Sequence, residues 1–386
     1  MKILYVLNHT IPDNGATKAI LGLVNSLRPL GVTPCFLMPD KKGIYKKVYD
    51  EGYEVITMKY RLNAYPSTKT LKDKLLFPLR LVFHQILNML AWRKLTKLLG
   101  VYKIDIVHTN VSVVNVGMKA AMKQHIPHIF HVREYADLDF DLHYIPSWKE
   151  EHKKWANKRN ICICITNNVA KHHGIDGKQY AKVIYDGVHP AVKELPAKGK
   201  GNYFLYAGRI EFEKGLDILI RAYARYASVA DKPLKLMVAG SVSEKTYFTK
   251  ITQLVEKLQV KDSITFLGCV EDISSLMHDA RALIIPSRNE GFGFCMPEAM
   301  FVNCLCIAHS IAGTKEQLDN GIEYTGKDIA LSFNNEEELA KHLENVGKLG
   351  KDEFEEMRQR AFETVNGLYS QEHAAKSVYE IYRSII

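Results

Sequence analysis

The sequence holds no uninterrupted run of the ~18 apolar residues that a membrane-crossing helix needs, so no transmembrane helix is expected. Its first residues, Met1-Lys2-Ile3-Leu4-Tyr5-Val6-Leu7-Asn8, are too briefly apolar for a secretory signal. No cleavage pattern follows them, and they read as a strand. Low-complexity tracts and short-period repeats are absent, which excludes a repeat architecture. Cysteine is sparse and odd in number: seven, at Cys35, Cys162, Cys164, Cys269, Cys295, Cys304 and Cys306. Cys162-x-Cys164 and Cys304-x-Cys306 lie in apolar runs at a spacing tighter than zinc pairs use. Buried, reduced thiols in a cytosolic protein are expected. No zinc-finger pattern or other nucleic-acid-binding module accompanies the basic residues, so nucleic acid is not an expected partner. The first strand is not followed by Gly-x-Gly-x-x-Gly, which counts against a nicotinamide dehydrogenase.

What remains is ordinary globular composition, 47% hydrophobic and 25% charged, in a chain of 386 residues, long enough for two or three domains. Charge is unevenly placed. Residues 1–190 carry 28 Lys and Arg against 15 Asp and Glu, a net of +13, whereas residues 191–386 carry 24 against 28, a net of −4. Within 59–97 nine basic residues meet one acid, Asp73. They surround Leu75, Leu76, Leu79, Phe83, Ile86, Leu87 and Leu90 at helical spacing. Two readings stay open there: a basic amphipathic helix resting on an anionic membrane surface, or a core helix with its lysines in water.

Strand-like runs alternate with helical patterns: Lys2–Leu7, Ala16–Leu27 (helical), Thr33–Met38, Ile104–His108, Ile129–His131, Asn160–Thr166, Lys182–Tyr185, Tyr203–Ala207, Lys235–Ala239, Ser263–Leu267, Ala282–Pro286 and Cys304–Ala308. Such alternation predicts α/β structure: two doubly wound, Rossmann-like domains facing a central cleft. The breaker-rich stretch from Gly187 to Asn202 marks the boundary, giving domains 1–190 and 191–370.

Two motifs carry chemistry. After the apolar run Ala282–Ile285 comes Glu290-Gly291-Phe292-Gly293-Phe294-Cys295-Met296-Pro297-Glu298, a glycine turn leading into a helix expected to open at Pro297. Free backbone N–H groups and the helix dipole there favour an anion, and two glutamates eight residues apart accept hydrogen bonds from hydroxyls flanking a phosphate. Upstream, the run Tyr203–Ala207 leads into Gly208-Arg209-Ile210-Glu211-Phe212-Glu213-Lys214-Gly215. Arg209 offers a planar fork for phosphate oxygens, and Lys214 a mobile point charge.

In order and spacing both motifs resemble those of retaining glycosyltransferases of family four, with the GT-B fold. That resemblance implies that Arg209 and Lys214 grip the donor pyrophosphate and bear the charge growing on the leaving phosphate. It assigns Glu298 to ribose hydroxyls and Glu290 to the transferred sugar, with Gly291, Phe292, Gly293 and Phe294 bringing backbone amides to the donor. By the same resemblance Gly313 and Thr314 add amides near the donor, Val270 lies against the base, and Gly15 contacts acceptor or phosphate. A crossover helix, 371–386, is expected to return to the first domain on Ala375, Val378, Tyr379 and Tyr382.

Two positions depart from the family. Ala16 follows Gly15 where a second glycine is common. Phe130-His131-Val132-Arg133-Glu134 places Arg133 and Glu134 where many members have histidine and aspartate. Arginine stays protonated and is no acid–base there, so Arg133 is assigned a charge-neutralising role at the reacting centre and His131 a neighbouring one on the same strand face. Asp137-Leu138-Asp139-Phe140-Asp141 repeats the Asp-x-Asp of metal-binding GT-A enzymes, but the cations of the second domain already answer the pyrophosphate, so no metal or other cofactor is expected. The expectation is metal-independent hexosyl transfer, with retention, from a UDP- or GDP-sugar to a glycan or polyprenyl-linked hydroxyl. It fits bacterial surface polysaccharide synthesis in the cytoplasm, or peripherally on the inner membrane face. A nucleotide-sugar epimerase and a non-catalytic nucleotide-binding subunit are the alternatives.

Overall fold

The computed structural model describes residues 1–12, 14–66, 68, 70–348 and 351–386. The chain divides into two units: Met1–Gly187 with Gln371–Ile386, and Val188–Ser370.

In unit 1 the strands run β1 (Lys2–Val6), β2 (Thr33–Met38), β3 (Glu54–Thr57), β4 (Ala64–Pro66), β5 (Ile106–Thr109), β6 (His128–Val132), β7 (Leu142–Tyr144), β8 (Asn160–Cys164) and β9 (Ala181–Val183). Among the described residues seven of them form a parallel sheet in the order β3-β2-β1-β5-β6-β8-β9, and β4 pairs antiparallel with β7. Ile3, Leu4, Tyr5 and Val6 are all fully buried, as a central parallel strand covered on both faces requires. Cys162 and Cys164 alternate along β8 and are both buried, which raises both thiol pKa values. The helix Gln371–Ile385 lies against the helix Gly15–Leu27, and its Ala375, Val378 and Tyr382 join the core around Ile20, Val24 and Leu27. Tyr379 packs at the edge of that core.

Unit 2 continues with β10 (Tyr203–Ala207), β11 (Lys235–Ala239), β12 (Ile264–Gly268), β13 (Ala282–Ile285), β14 (Cys306–His309) and β15 (Leu331–Phe333). These form a parallel sheet ordered β12-β11-β10-β13-β14-β15. Strand order reverses between β10 and β13. In open parallel sheets ligands bind at such a reversal, beyond the strands' carboxyl ends. Both sequence motifs follow these two strands.

Three differences from expectation touch the motif regions and the basic segment. The helix after the second motif spans Cys295–Phe301, so Pro297 is its third residue and not its first. The N–H groups of a helix's first turn have no intrahelical acceptor, so proline is tolerated there without losing a bond. Cys304 precedes β14 instead of opening it. The basic segment forms one 31-residue helix, Leu71–Val101, capped by Thr70, whose side chain accepts from the Asp73 N–H. By length and composition this helix could cross a membrane, with mean hydropathy 1.3 over its most apolar stretch, contrary to the reading of uninterrupted runs. Arg80 breaks the run without lowering its average much. The helix buries only Asn88, Ala91, Leu95 and Leu99, all in its C-terminal half.

Candidate functional site

The two loops at the unit 2 switch point are tied to each other. The Arg288 N–H donates to the Glu213 carbonyl at 2.8 Å, and the Arg288 guanidinium donates to the Phe212 carbonyl at 2.7 Å. That guanidinium also forks onto Asp217, at 3.0 and 2.9 Å, while lying 4.0 Å from the centre of the Phe212 ring. Asp217 lies in the first turn of the helix Leu216–Val229 and accepts as well from Tyr247 at 2.6 Å and Arg221 at 2.9 Å. Burial pushes its carboxyl up, but these donors outweigh burial and hold it down to about 2. Gly215 makes the approach possible: a Cβ there would stand 2.0 Å from the Pro286 carbonyl oxygen.

The clamp brings Lys214 and Glu290, 76 residues apart in sequence, to 2.7 Å between Nζ and Oε1. Ser287 donates to the same oxygen at 2.8 Å. The lysine side chain is 21% exposed and the glutamate 10%. Burial lowers the Lys214 pKa, yet attraction and hydrogen bonding to Glu290 more than offset this and leave it above its ordinary value. Lys214 is therefore a fixed cation whose charge is shared with one carboxylate. Arg209, on the same loop, is half exposed and pairs with Glu211 at 2.9 Å.

The Gly291–Phe294 turn is held from below by the helix Ala312–Thr325. Gly313 donates its N–H to the Glu290 carbonyl at 2.9 Å, and Gln317 bonds the Phe292 and Gly293 carbonyls. A Cβ at Gly313 would sit 2.6 Å from the Gly291 carbonyl oxygen, so only glycine permits this seat. Thr314 is buried, its hydroxyl beside Gly293. The Phe292 side chain packs on Phe294 and Tyr369, which leaves only its backbone to face a ligand. Glu298 is half-buried in the first turn of Cys295–Phe301, and Val270 is half-buried just beyond β12. Arg288, Asp217, Ser287 and Gln317 went unread in the sequence. Ser287 and Arg288 lie inside the quoted motif stretch, and Asp217 stands just after Lys214-Gly215, so proximity to the motifs was the available signal.

In unit 1, Gly15 opens the helix Gly15–Leu27, and the Asn14 side chain accepts from the Ala16 N–H at 3.0 Å. Arg133 and His131 are brought together, but inside the unit. Arg133 pairs with Asp186, donates to Asn110 at 3.0 Å, and meets His131 Nδ1 at 3.2 Å. His108 Nε2 is 3.2 Å from the same His131 nitrogen, and Tyr382 bonds His108 Nδ1 at 2.6 Å. With Arg133 donating, His131 Nδ1 is the acceptor and the neutral ring carries its proton on Nε2, 3.6 Å from Asp186 Oδ1. Glu134 is buried and accepts from the Ser112 N–H at 2.7 Å and the Val113 N–H at 3.2 Å. The Asp-x-Asp carboxylates go separate ways: Asp137 to His172, Asp139 to the Tyr135 N–H, and Asp141 toward His143.

These buried groups set an acid limit on stability. Burial depresses His108 and His131 far below the ordinary range, His128 and His173 to about 3, and His152 to about 4. In the unfolded chain all five titrate near 6.5, so below that pH the unfolded state binds more protons and stability falls. Burial raises Glu134 to about 7, Asp139 to about 6, and Asp186 also, which works in the opposite sense. His9 and His84 are lowered by burial as well, so the histidines outnumber these carboxylates and the net effect is a loss of stability as pH falls below about 6.5. Urea titrations across this range should show the midpoint dropping steadily with acid, and a flat profile would contradict the assignment.

Residues 190–364 match the family model of glycosyl transferases group 1. The match takes in all six strands of the unit 2 sheet. An uncharacterized glycosyltransferase of Methanocaldococcus jannaschii is 24% identical over 338 residues, 80% of this chain and 87% of its own. The O-antigen chain mannosyltransferase RfbU of Salmonella typhimurium is 29% identical over 183 residues, 47% of this chain and 50% of its own. The crystal structure of Anabaena HepE in complex with UDP superposes with TM-score 0.76 at 16% identity, covering 100% of both chains. The likeness is one of fold: both are GT-B, built from two doubly wound α/β units. Within the matched residues lie β10 and β13, their two loops, and the Lys214–Glu290 pair.

Proposed function

We propose that this chain transfers a hexose, with retention and without a metal, from a nucleotide diphosphate sugar to a hydroxyl of a glycan or lipid-linked acceptor. The observation that carries this reading is the Lys214–Glu290 pair, fixed at 2.7 Å where the two switch-point loops are clamped. A donor pyrophosphate placed there would take the lysine's charge from Glu290, freeing the carboxylate to accept hydrogen bonds from sugar hydroxyls. As the anomeric C–O bond breaks, Lys214 and Arg209 bear the charge on the departing phosphate. The departing phosphate oxygen takes the proton of the acceptor hydroxyl as that hydroxyl attacks from the same face. HepE, solved with UDP and with UDP-glucose, and the mannosyltransferase RfbU support the reading by likeness. HepE's ligands favour a UDP-sugar as donor, with a GDP-sugar as the alternative.

Saturation-transfer NMR of the metal-free protein against UDP-, GDP-, ADP- and CMP-sugars tests it. One clear binder whose sugar reaches an acceptor with its anomeric configuration kept is the expected result. Folded protein that binds none of them would overturn the proposal.

A further inference from the structure

The helix Leu71–Val101 presents an apolar face that no described residue of unit 1 covers. Leu71, Leu75, Leu79, Val82, Phe83, Ile86 and Leu90 are each at least 46% exposed. At about 100° per residue these seven positions fall within an arc of about 120°. The residues the helix does bury, Asn88, Ala91, Leu95 and Leu99, lie on the opposite side. Single exposed leucines are common on protein surfaces, but a continuous stripe of seven is not. Leu76 and Leu87, which also fit the helical spacing, are half-buried.

Charge identifies what covers the stripe. Lys72 at one end and Arg93, Lys94 and Lys97 at the other lie on or beside the same arc, all exposed. The single acid of the helix, Asp73, is neutralised by Arg80 at 3.0 Å. A second copy laid along this face would bring basic ends against basic ends in parallel or antiparallel register, and like charges so juxtaposed are repelled. A negatively charged lipid surface matches both features, taking the apolar side chains below its headgroups and the basic ends among them.

We propose that this helix is a membrane-docking element that lies in the plane of an anionic bilayer surface. It does not span the bilayer, because its C-terminal half is tied to unit 1. Asn88 accepts from the Arg61 N–H at 2.8 Å, Gln124 donates to the Thr96 carbonyl at 3.0 Å, and Leu95 and Leu99 are buried. Its N-terminal half, Leu71 to Leu87, buries no residue and supplies most of the stripe. The proposal stands apart from the transfer reaction and holds whether or not the donor site is as proposed above.

Flotation of the full chain with vesicles tests it. The wild-type protein is expected to float with equimolar phosphatidylcholine and phosphatidylglycerol, not with phosphatidylcholine alone, and to release as salt is raised. Leu79→Glu with Phe83→Glu should weaken flotation at least ~10-fold, since both side chains are exposed and the change removes apolar contact with lipid and sets two carboxylates against anionic headgroups. Circular dichroism should show both proteins equally folded, and nucleotide-sugar binding should be the same in both. Folded wild-type protein that stays with the unbound fraction would overturn the proposal. So would a variant that floats as well as wild type, or a wild-type dimer that the two substitutions abolish without any change in flotation.

Discussion

Lys214→Ala is expected to lower sugar-transfer turnover by about 10²- to 10³-fold, the range for losing one preorganised group that stabilises transition-state charge. The effect should fall on kcat more than on KM, because the charge Lys214 meets is greatest as the phosphate departs. The same lysine is held at 2.7 Å from Glu290, so its removal also strips a mostly buried carboxylate of its cation. Ser287 still donates to that oxygen, and the Arg288–Asp217 clamp does not involve Lys214, so the loops should stay in place. Steady-state kinetics beside a denaturation curve separates the two consequences. Glu298→Ala provides the contrast: the family resemblance implies that Glu298 holds ribose hydroxyls, a role in ground-state binding, and its loss should then raise the donor KM about tenfold with kcat little changed. Wild-type turnover in folded Lys214→Ala would remove the lysine from the reaction.

The sequence was most legible where local pattern and sheet position agree. Tyr203–Ala207 and Lys235–Ala239 are strands with the boundaries their apolar runs suggested, because both faces of a central parallel strand are buried and the run ends where burial ends. The motif loops could be assigned to strand ends for the same reason. Pairing was less legible. Nothing periodic connects Lys214 to Glu290, or Arg288 to Asp217; only the strand order β10-β13 makes those loops neighbours. The helix at 71–101 misled in another way. Its apolar residues mark two opposite faces, one packed and one exposed, and a linear pattern does not say which is which. The short strands β3, β4, β7 and β15 escaped because three or four residues carry too little periodicity to separate from loop.

Asp186→Ala is expected to destabilise unit 1 by about 3–5 kcal/mol, the cost of leaving one partner of a buried ion pair without its counter-charge. Arg133 and Asp186 side chains are each 4% exposed, and the guanidinium is also bonded to Asn110 and His131, so it has no route to water when its carboxylate is gone. Asp186 lies 53 residues from Arg133 in a segment without motif character, so the sequence pointed to Arg133 and was silent on what holds it. The pair also bears on catalysis. If Arg133 serves only this internal network, replacing both partners with apolar residues of similar size, Arg133→Met with Asp186→Leu, should recover most of the lost stability, because buried ion pairs seldom outperform well-packed hydrophobic substitutes. Turnover should recover with it. If instead Arg133 neutralises charge at the reacting centre, as the family resemblance implies, the double variant should be as stable as wild type in urea yet lose turnover by about 10²-fold or more. Stability and kcat measured on the same three proteins decide between a structural and a catalytic arginine.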